Sequence, residues 1–119
     1  MKVIICGSRE LWVTPQTIEE AVRCSGFVVT ELVCGMAKGV DKSALIWAQS
    51  NNIPVIEMPF KKQYGVLGGF MRNQDMVQIA DAWIAVINSP VLTKGTKDCY
   101  NRAAKANLPM YLYNTNGLF

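Results

Sequence analysis

Gly35, Gly39 and Asp41 close the stretch ELVCGMAKGVD, and their order poses a chemical question. An apolar run ends in one glycine, a second follows four residues later, and a carboxylate stands two beyond it, ahead of a helical pattern. Glycine lets a ligand come close to the backbone, and the first N–H groups of a helix attract anions. The spacing is neither GxGxxG nor the P-loop pattern. Taken alone, the segment reads as a tight strand-to-helix connection, with Asp41 near a helix start where the macrodipole favours it.

Other residue types narrow the chemistry. The chain has no histidine. That removes Ser-His-Asp and Cys-His nucleophiles and histidine acid–base catalysis, leaving carboxylates, Lys, Tyr, Cys or a bound group. The four cysteines, Cys6, Cys24, Cys34 and Cys99, form no CxxC pair and read as structural thiols, so neither a metal nor a cofactor is expected. Net charge is +3, with no basic run beyond Lys61-Lys62 and no basic stripe interleaved with aromatics. That balance argues against a nucleic-acid partner and suits a small anion.

The elements that must position these residues alternate along the chain. KVIIC (2–6) reads as a buried strand and TPQTIEEAVRCSG (14–26) as a helix, with Thr14 as N-cap, Pro15 at the first position and Gly26 closing it. TELVCG (30–35) is a second strand, 40–52 a helix, and IPVIEMPF (53–60) a third strand bounded by prolines. Residues 61–69 read as a loop, 70–81 as a helix and 82–88 as a fourth strand. A loop over 89–95, a helix over 96–107 with Thr96 as its N-cap, a strand over 108–114 and a short tail complete the chain. Continuous apolar strands imply a sheet covered on both faces. The expectation is one α/β domain over 1–119: a Rossmann-like, doubly wound, mostly parallel sheet of five strands in the order 3-2-1-4-5. No apolar run approaches the ~20 residues of a membrane span, and the N-terminus reads as a first strand rather than a signal peptide, so a cytoplasmic location is expected.

Ligands of such sheets bind beyond the carboxyl ends of the strands, at the switch point beside strand one. That rule selects Gly7-Ser8-Arg9, the turn Gly35-Met36-Ala37-Lys38-Gly39 with Asp41, the region around Phe60, and the segment from Asn88 and Ser89 to Gly95, Thr96 and Lys97. Arg72 and Asn73, close to a helix start, join them. Arg9, Lys38, Arg72 and Lys97 would supply charge, and Phe60 or Tyr64 would stack on a base.

In order, VIICGSRE, ELVCGMAKGVDKSALIWA, GGFMRNQDMVQIADAWIAV and KGTKDCYNRAAK resemble the SLOG superfamily of Rossmann-like domains, most nearly its YspA-like branch, over roughly residues 2–113. The resemblance implies a nucleotide-related site. SLOG domains bind nucleotides and nucleotide-derived signals of the ADP-ribose and cyclic-nucleotide kind, and the related LOG-type enzymes cleave the N-glycosidic bond of nucleoside monophosphates. By that likeness Gly7, Ser8 and Arg9 form a first phosphate-side loop, and Gly35, Ala37, Gly39 and Asp41 a second. Arg72 matches the arginine of the LOG-type helix motif, and Gly95 and Thr96 the glycine and threonine of its PGGxGTxxE turn. The sequence departs from that pattern where SPVLTK precedes Gly95 and where Cys99 stands at the catalytic glutamate's position.

Two functions from different classes follow. The first is a module that holds a nucleotide-derived ligand intact, as a carrier or as a sponge of the kind a phage would use against nucleotide-based immunity. The second is a nucleotide N-glycosidase or phosphoribohydrolase in which Asp98, Asp41 or Glu57 replaces the missing glutamate, since glycosidic cleavage needs a carboxylate. A DNA-associated scaffold is a third. Three Trp, four Phe and four Tyr in a small domain, together with the helix-mediated pairing of SLOG relatives, predict a homo-oligomer.

Overall fold

Six strand residues, Lys2–Gly7 (β1), lie at the centre of a five-stranded parallel sheet of order β3-β2-β1-β4-β5. The structure, a computed structural model, describes residues 1–116. The element order is β1, α1 (Pro15–Ser25), β2 (Glu31–Cys34), α2 (Val40–Ser50), β3 (Val55–Glu57), α3 (Leu67–Ile79), β4 (Ala82–Ile87), α4 (Lys94–Lys105) and β5 (Met110–Asn114). A single 3-10 turn, Lys62–Tyr64, precedes α3. Fold class and strand order are those expected from the sequence.

The central strands show why the order is stable. All six residues of β4, AWIAVI, are buried. With period two, Ala82, Ile84 and Val86 enter one core, and Trp83, Ala85 and Ile87 the other. β1 divides likewise, Val3 and Ile5 against Ile4 and Cys6. The first core is closed by Ile18 and Ala21 of α1 and by Val40, Ala44, Leu45 and Ala48 of α2; the second by Met76 and Val77 of α3 and by Cys99 and Ala103 of α4. Helices therefore switch faces between β3 and β4, and the switch point lies beside β1. Registers of Ile5↔Ile84 and Gly7↔Val86 bring the β1 and β4 carboxyl ends level.

Local signals hold at α1. Thr14 Oγ1 accepts from the Thr17 backbone N–H at 3.2 Å, Pro15 opens the helix, and Gly26 ends it in the left-handed region. Elsewhere boundaries move. β2 is four residues and β3 only three, because pairing is lost at the prolines and at the turn after Cys34. α2 stops at Ser50, and β4 and β5 are shorter than expected. α3 starts at Leu67, inside the expected loop. Gly68 explains this: a Cβ there would run into the Lys61 carbonyl, so only glycine lets the first helical turn lie on the loop backbone. α4 starts at Lys94, so Thr96 is an interior first-turn residue and Thr93 takes the N-cap position. The short tail expected over 115–119 lies partly in residues 117–119, outside the described residues.

No helix among the described residues is long and apolar enough to cross a membrane. Cys6, Cys34 and Cys99 are buried free thiols, whereas Cys24 is exposed on α1.

Candidate functional site

A small cleft of about 70 Å³ opens at the carboxyl ends of β1 and β4. Ser8 forms one wall; Ile87, Asn88, Ser89, Val91, Leu92, Thr93 and Thr96 form the rest. Four residues singled out from the sequence, Ser8, Asn88, Ser89 and Thr96, therefore meet in one place. Leu92 and Thr93 lie within the segment from Asn88 to Lys97 that the switch-point rule selects, but nothing beyond turn chemistry singles them out there.

The cleft faces the N-terminus of α4. Thr93 takes the N-cap position with extended backbone, yet no side chain caps the helix. Its hydroxyl instead donates to Thr96 Oγ1 at 3.1 Å. The first turn holds no acidic residue, and Lys94 and Lys97 are exposed beside it. Uncapped N–H groups, two hydroxyls and two ammonium groups are a donor set for an anion. No lining residue carries a carboxylate.

The GMAKG turn serves the cleft from behind. Gly39 has φ 72° and ψ −129°, and a Cβ on it would collide with the Ser8 carbonyl and the Arg9 backbone. The backbone N–H of Val40 reaches Ser8 O at 3.4 Å, and that of Leu11 reaches it at 3.3 Å. The second loop thus buttresses the first. Gly7 is equally confined, between the Val86 carbonyl and the Val40 side chain. Met36 takes a left-handed φ of 63° at the start of this turn.

Asp41 lies inside the turn, 6% exposed, and accepts the Ala37 backbone N–H at 3.1 Å. Burial lifts its carboxyl from the ordinary 3.8 to about 6, against the opposing pull of that N–H and of Arg72. Arg72 spans from α3 to this loop: Nη1 donates to the Gly35 carbonyl and Nε to Asn73 Oδ1. Asn73, 4% exposed, donates through Nδ2 to the Gly95 carbonyl at 3.2 Å and to Asp98 Oδ2 at 3.0 Å. Asp98 also receives Arg102 Nε at 2.9 Å. A chain of polar contacts therefore runs from the Gly35 turn through Arg72 and Asn73 to the first turns of α4.

Other expected residues lie outside the cleft lining. Arg9, Lys38 and Lys97 are exposed around it. Phe60, 45% exposed, packs against Gly69, and Tyr64 is half exposed in the 3-10 turn. Glu57 is exposed at the end of β3. Cys99 is 2% exposed and receives the Trp83 indole N–H at 3.2 Å. No group of residues able to hold a metal ion occurs among the described residues.

The fold recurs in a solved structure. DNA processing protein A (DprA) from Streptococcus pneumoniae matches with a TM-score of 0.65 at 16% identity, over 93% of this chain and 49% of that one. The chain thus spans about half the length of that protein, and at this identity the likeness is one of fold. No curated protein matches the sequence. A family model for the YspA, cpYpsA-related SLOG family (YAcAr) matches residues 1–62, from β1 through the GMAKG turn and α2 to the end of β3 and beyond. The chain belongs to that SLOG family.

Proposed function

We propose that the protein binds a nucleotide-derived small molecule, of the ADP-ribose or cyclic-nucleotide kind, in the cleft between Ser8 and the start of α4, and releases it unchanged. The observation that carries this reading is the uncapped α4 N-terminus facing a cleft whose polar lining is hydroxyl and amide, with no carboxylate. A phosphate is the complement of that donor set. Arg9, Lys38 and Lys97 would steer the anion, and Phe60 or Tyr64 would cover a base at the margin. Sequestration of a signalling nucleotide, in the manner of a phage sponge, is the role that binding without turnover would serve.

Support for glycosidic cleavage is weaker. Asp98 is committed to Asn73 and Arg102, Asp41 lies buried behind Gly35, and neither lines the cleft. DprA is a DNA processing protein, but a net charge of +3 gives this chain little of the phosphate-neutralising surface that DNA demands. Self-association fits the exposed Tyr64, Val66, Leu67 and Met71 and the groove of about 380 Å³ beside Leu67, Phe70 and Met71.

The test is to mix the purified protein with ADP-ribose derivatives and cyclic dinucleotides, remove protein-bound material, heat-denature it and identify what is released. The reading expects a ligand depleted on mixing and returned intact. A cleaved product assigns turnover instead. No depletion of any nucleotide, with retention of a DNA probe, replaces the reading with a DNA-associated one.

A further inference from the structure

The sheet has two edges, and they are finished differently. β3 is three residues long, lies between Pro54 and Pro59, and carries the exposed Glu57. A short strand, prolines and a charge are the usual protections of an edge that takes no partner. β5 has none of them within it: MYLYN is five residues long, and no side chain from Ala106 to Asn116 is charged. Leu112, in its middle, is 43% exposed.

The β4–β5 ladder shows which backbone groups remain. Trp83 N–H donates to the Pro109 carbonyl at 3.0 Å, and Thr115 N–H to the Ile87 carbonyl at 2.8 Å. In the parallel register Ile84↔Tyr111 and Val86↔Tyr113, the odd-numbered residues of β5 turn both groups towards β4. Met110 and Leu112 turn theirs outward, where no described residue meets them. The side chains divide as well. Tyr111 and Tyr113 pack on the first core, on the α1 side; Met110 packs on the second, and Leu112 shares its face.

We propose that β5 pairs antiparallel with β5 of a second copy of this chain, about a two-fold axis at Tyr111. Met110 then stands opposite the partner's Leu112, and Leu112 opposite the partner's Met110. Each pair exchanges both N–H···O bonds, so the outward groups of both residues are satisfied. Tyr111 meets the partner's Tyr111 as the closer, non-hydrogen-bonded pair. The exposed Leu112 side chain gains the partner's Met110 on its own face. A second copy is favoured over an unrelated strand because self-pairing is symmetric and sets only apolar and aromatic side chains against one another. Glu20 and Arg23 of α1, the helix that packs on β4 and β5, are bonded to each other at 2.6 Å and bring no unbalanced charge to this edge.

Antiparallel pairing sends the carboxyl ends of the two sheets in opposite directions. The two clefts open at opposite ends of one continuous sheet, and each keeps its whole lining within one chain. Whatever they bind, they bind it independently. Pairing through the apolar surface of Leu67 and Met71 on α3 is a separate arrangement, so the test carries a variant on each face.

The experiment is sedimentation velocity of the full chain over a range of concentrations, and the expected result is a concentration-dependent dimer. Leu112→Pro removes one outward N–H without touching the β4 ladder, and Leu112→Lys sets like charges across the axis. Both variants are expected to be monomeric with the native circular dichroism spectrum, while Leu67→Glu stays dimeric. Should Leu112→Pro fail to fold, Leu112→Lys and cross-linking decide. Tyr111→Cys in a Cys24→Ser background forms a disulfide-linked dimer under mild oxidation, and Tyr113→Cys in the same background, displaced from the axis, does not. A native chain that is monomeric at every concentration, a dimer lost in Leu67→Glu but kept in the folded Leu112 variants, or cross-linking through Tyr113→Cys alone overturns the proposal.

Discussion

Asn73 Nδ2 donates to the Gly95 carbonyl at 3.2 Å, joining the second turn of α3 to the first turn of α4 across 22 residues of chain. The same nitrogen reaches Asp98 Oδ2, and the Asn73 oxygen accepts Arg72 Nε. One buried amide therefore fixes the helix whose N-terminus faces the cleft, and ties it to the arginine that holds the Gly35 carbonyl.

Asn73→Ala removes three hydrogen bonds and leaves the Gly95 carbonyl without that donor. Buried polar groups stripped of partners cost about 1–3 kcal/mol, and a loss of that order is expected in urea unfolding. Asn73→Asp fares no better, since it sets a second carboxylate beside Asp98 and the Gly95 carbonyl. A loss below about 0.5 kcal/mol for Asn73→Ala would mean that the α3–α4 packing alone holds α4 in place.

Asp41 makes stability depend on pH in a direction opposite to the usual acidic residue. Its folded value, about 6, lies above the ordinary 3.8 because burial outweighs the Ala37 N–H and Arg72. The folded state then binds the proton more tightly than the unfolded one. Stability attributable to this group is greatest below about pH 4 and declines as pH rises towards about 6, where the charged form must be buried. Asp41→Asn keeps an acceptor for Ala37 and removes the charge. Its stability relative to the native protein should rise between about pH 4 and about pH 7, by up to roughly 3 kcal/mol. A difference that stays flat across that range would show that Asp41 is ionised throughout at no cost. A carboxylate held at such cost in the turn behind Ser8 fits a functional site better than a structural one.

Gly39 is expected to be the least replaceable residue of the GMAKG turn. Gly39→Ala meets the Ser8 carbonyl and the Arg9 backbone, and its φ of 72° with ψ of −129° is strained for any side chain. Backbone strain alone costs ~1–3 kcal/mol, and relief requires the Ser8 loop to move. Thermal unfolding should show the loss, and ADP-ribose binding should fall further than stability does. Wild-type melting in Gly39→Ala would contradict the packing of the two loops.

How much of this was legible beforehand differs from element to element. β1 and β4 were readable because uninterrupted apolar runs leave no alternative to a sheet covered on both faces, and the switch-point rule then named Ser8, Asn88, Ser89 and Thr96. The start of α3 was not. Val66-Leu67-Gly68-Gly69 reads as a loop by propensity, and only the approach of Lys61 reveals why glycine sits inside a helix there. Threonine before a helical pattern is the usual N-cap signal and points to Thr96, but the helix begins two residues earlier at Lys94. The roles of Asn73 and Arg72 were hidden for a different reason. Their partners are backbone carbonyls at Gly95 and Gly35, and a carbonyl leaves no mark on sequence.

Gly95 separates stability from binding most cleanly. It lies in the first turn of α4, beside the cleft, and a Cβ built on it meets nothing within 4 Å. Alanine in a helix is favoured over glycine by roughly 0.5–1 kcal/mol, so Gly95→Ala should unfold at slightly higher urea. The new methyl would occupy space that an anion needs to reach the uncapped N–H groups of that turn. A protein that is more stable yet binds ADP-ribose about tenfold more weakly, a change of ~1.4 kcal/mol, is the expected outcome by calorimetry. Unchanged affinity in a stabilised Gly95→Ala protein would move the ligand away from α4, and the donor set at Thr93 and Thr96 would lose its assigned role.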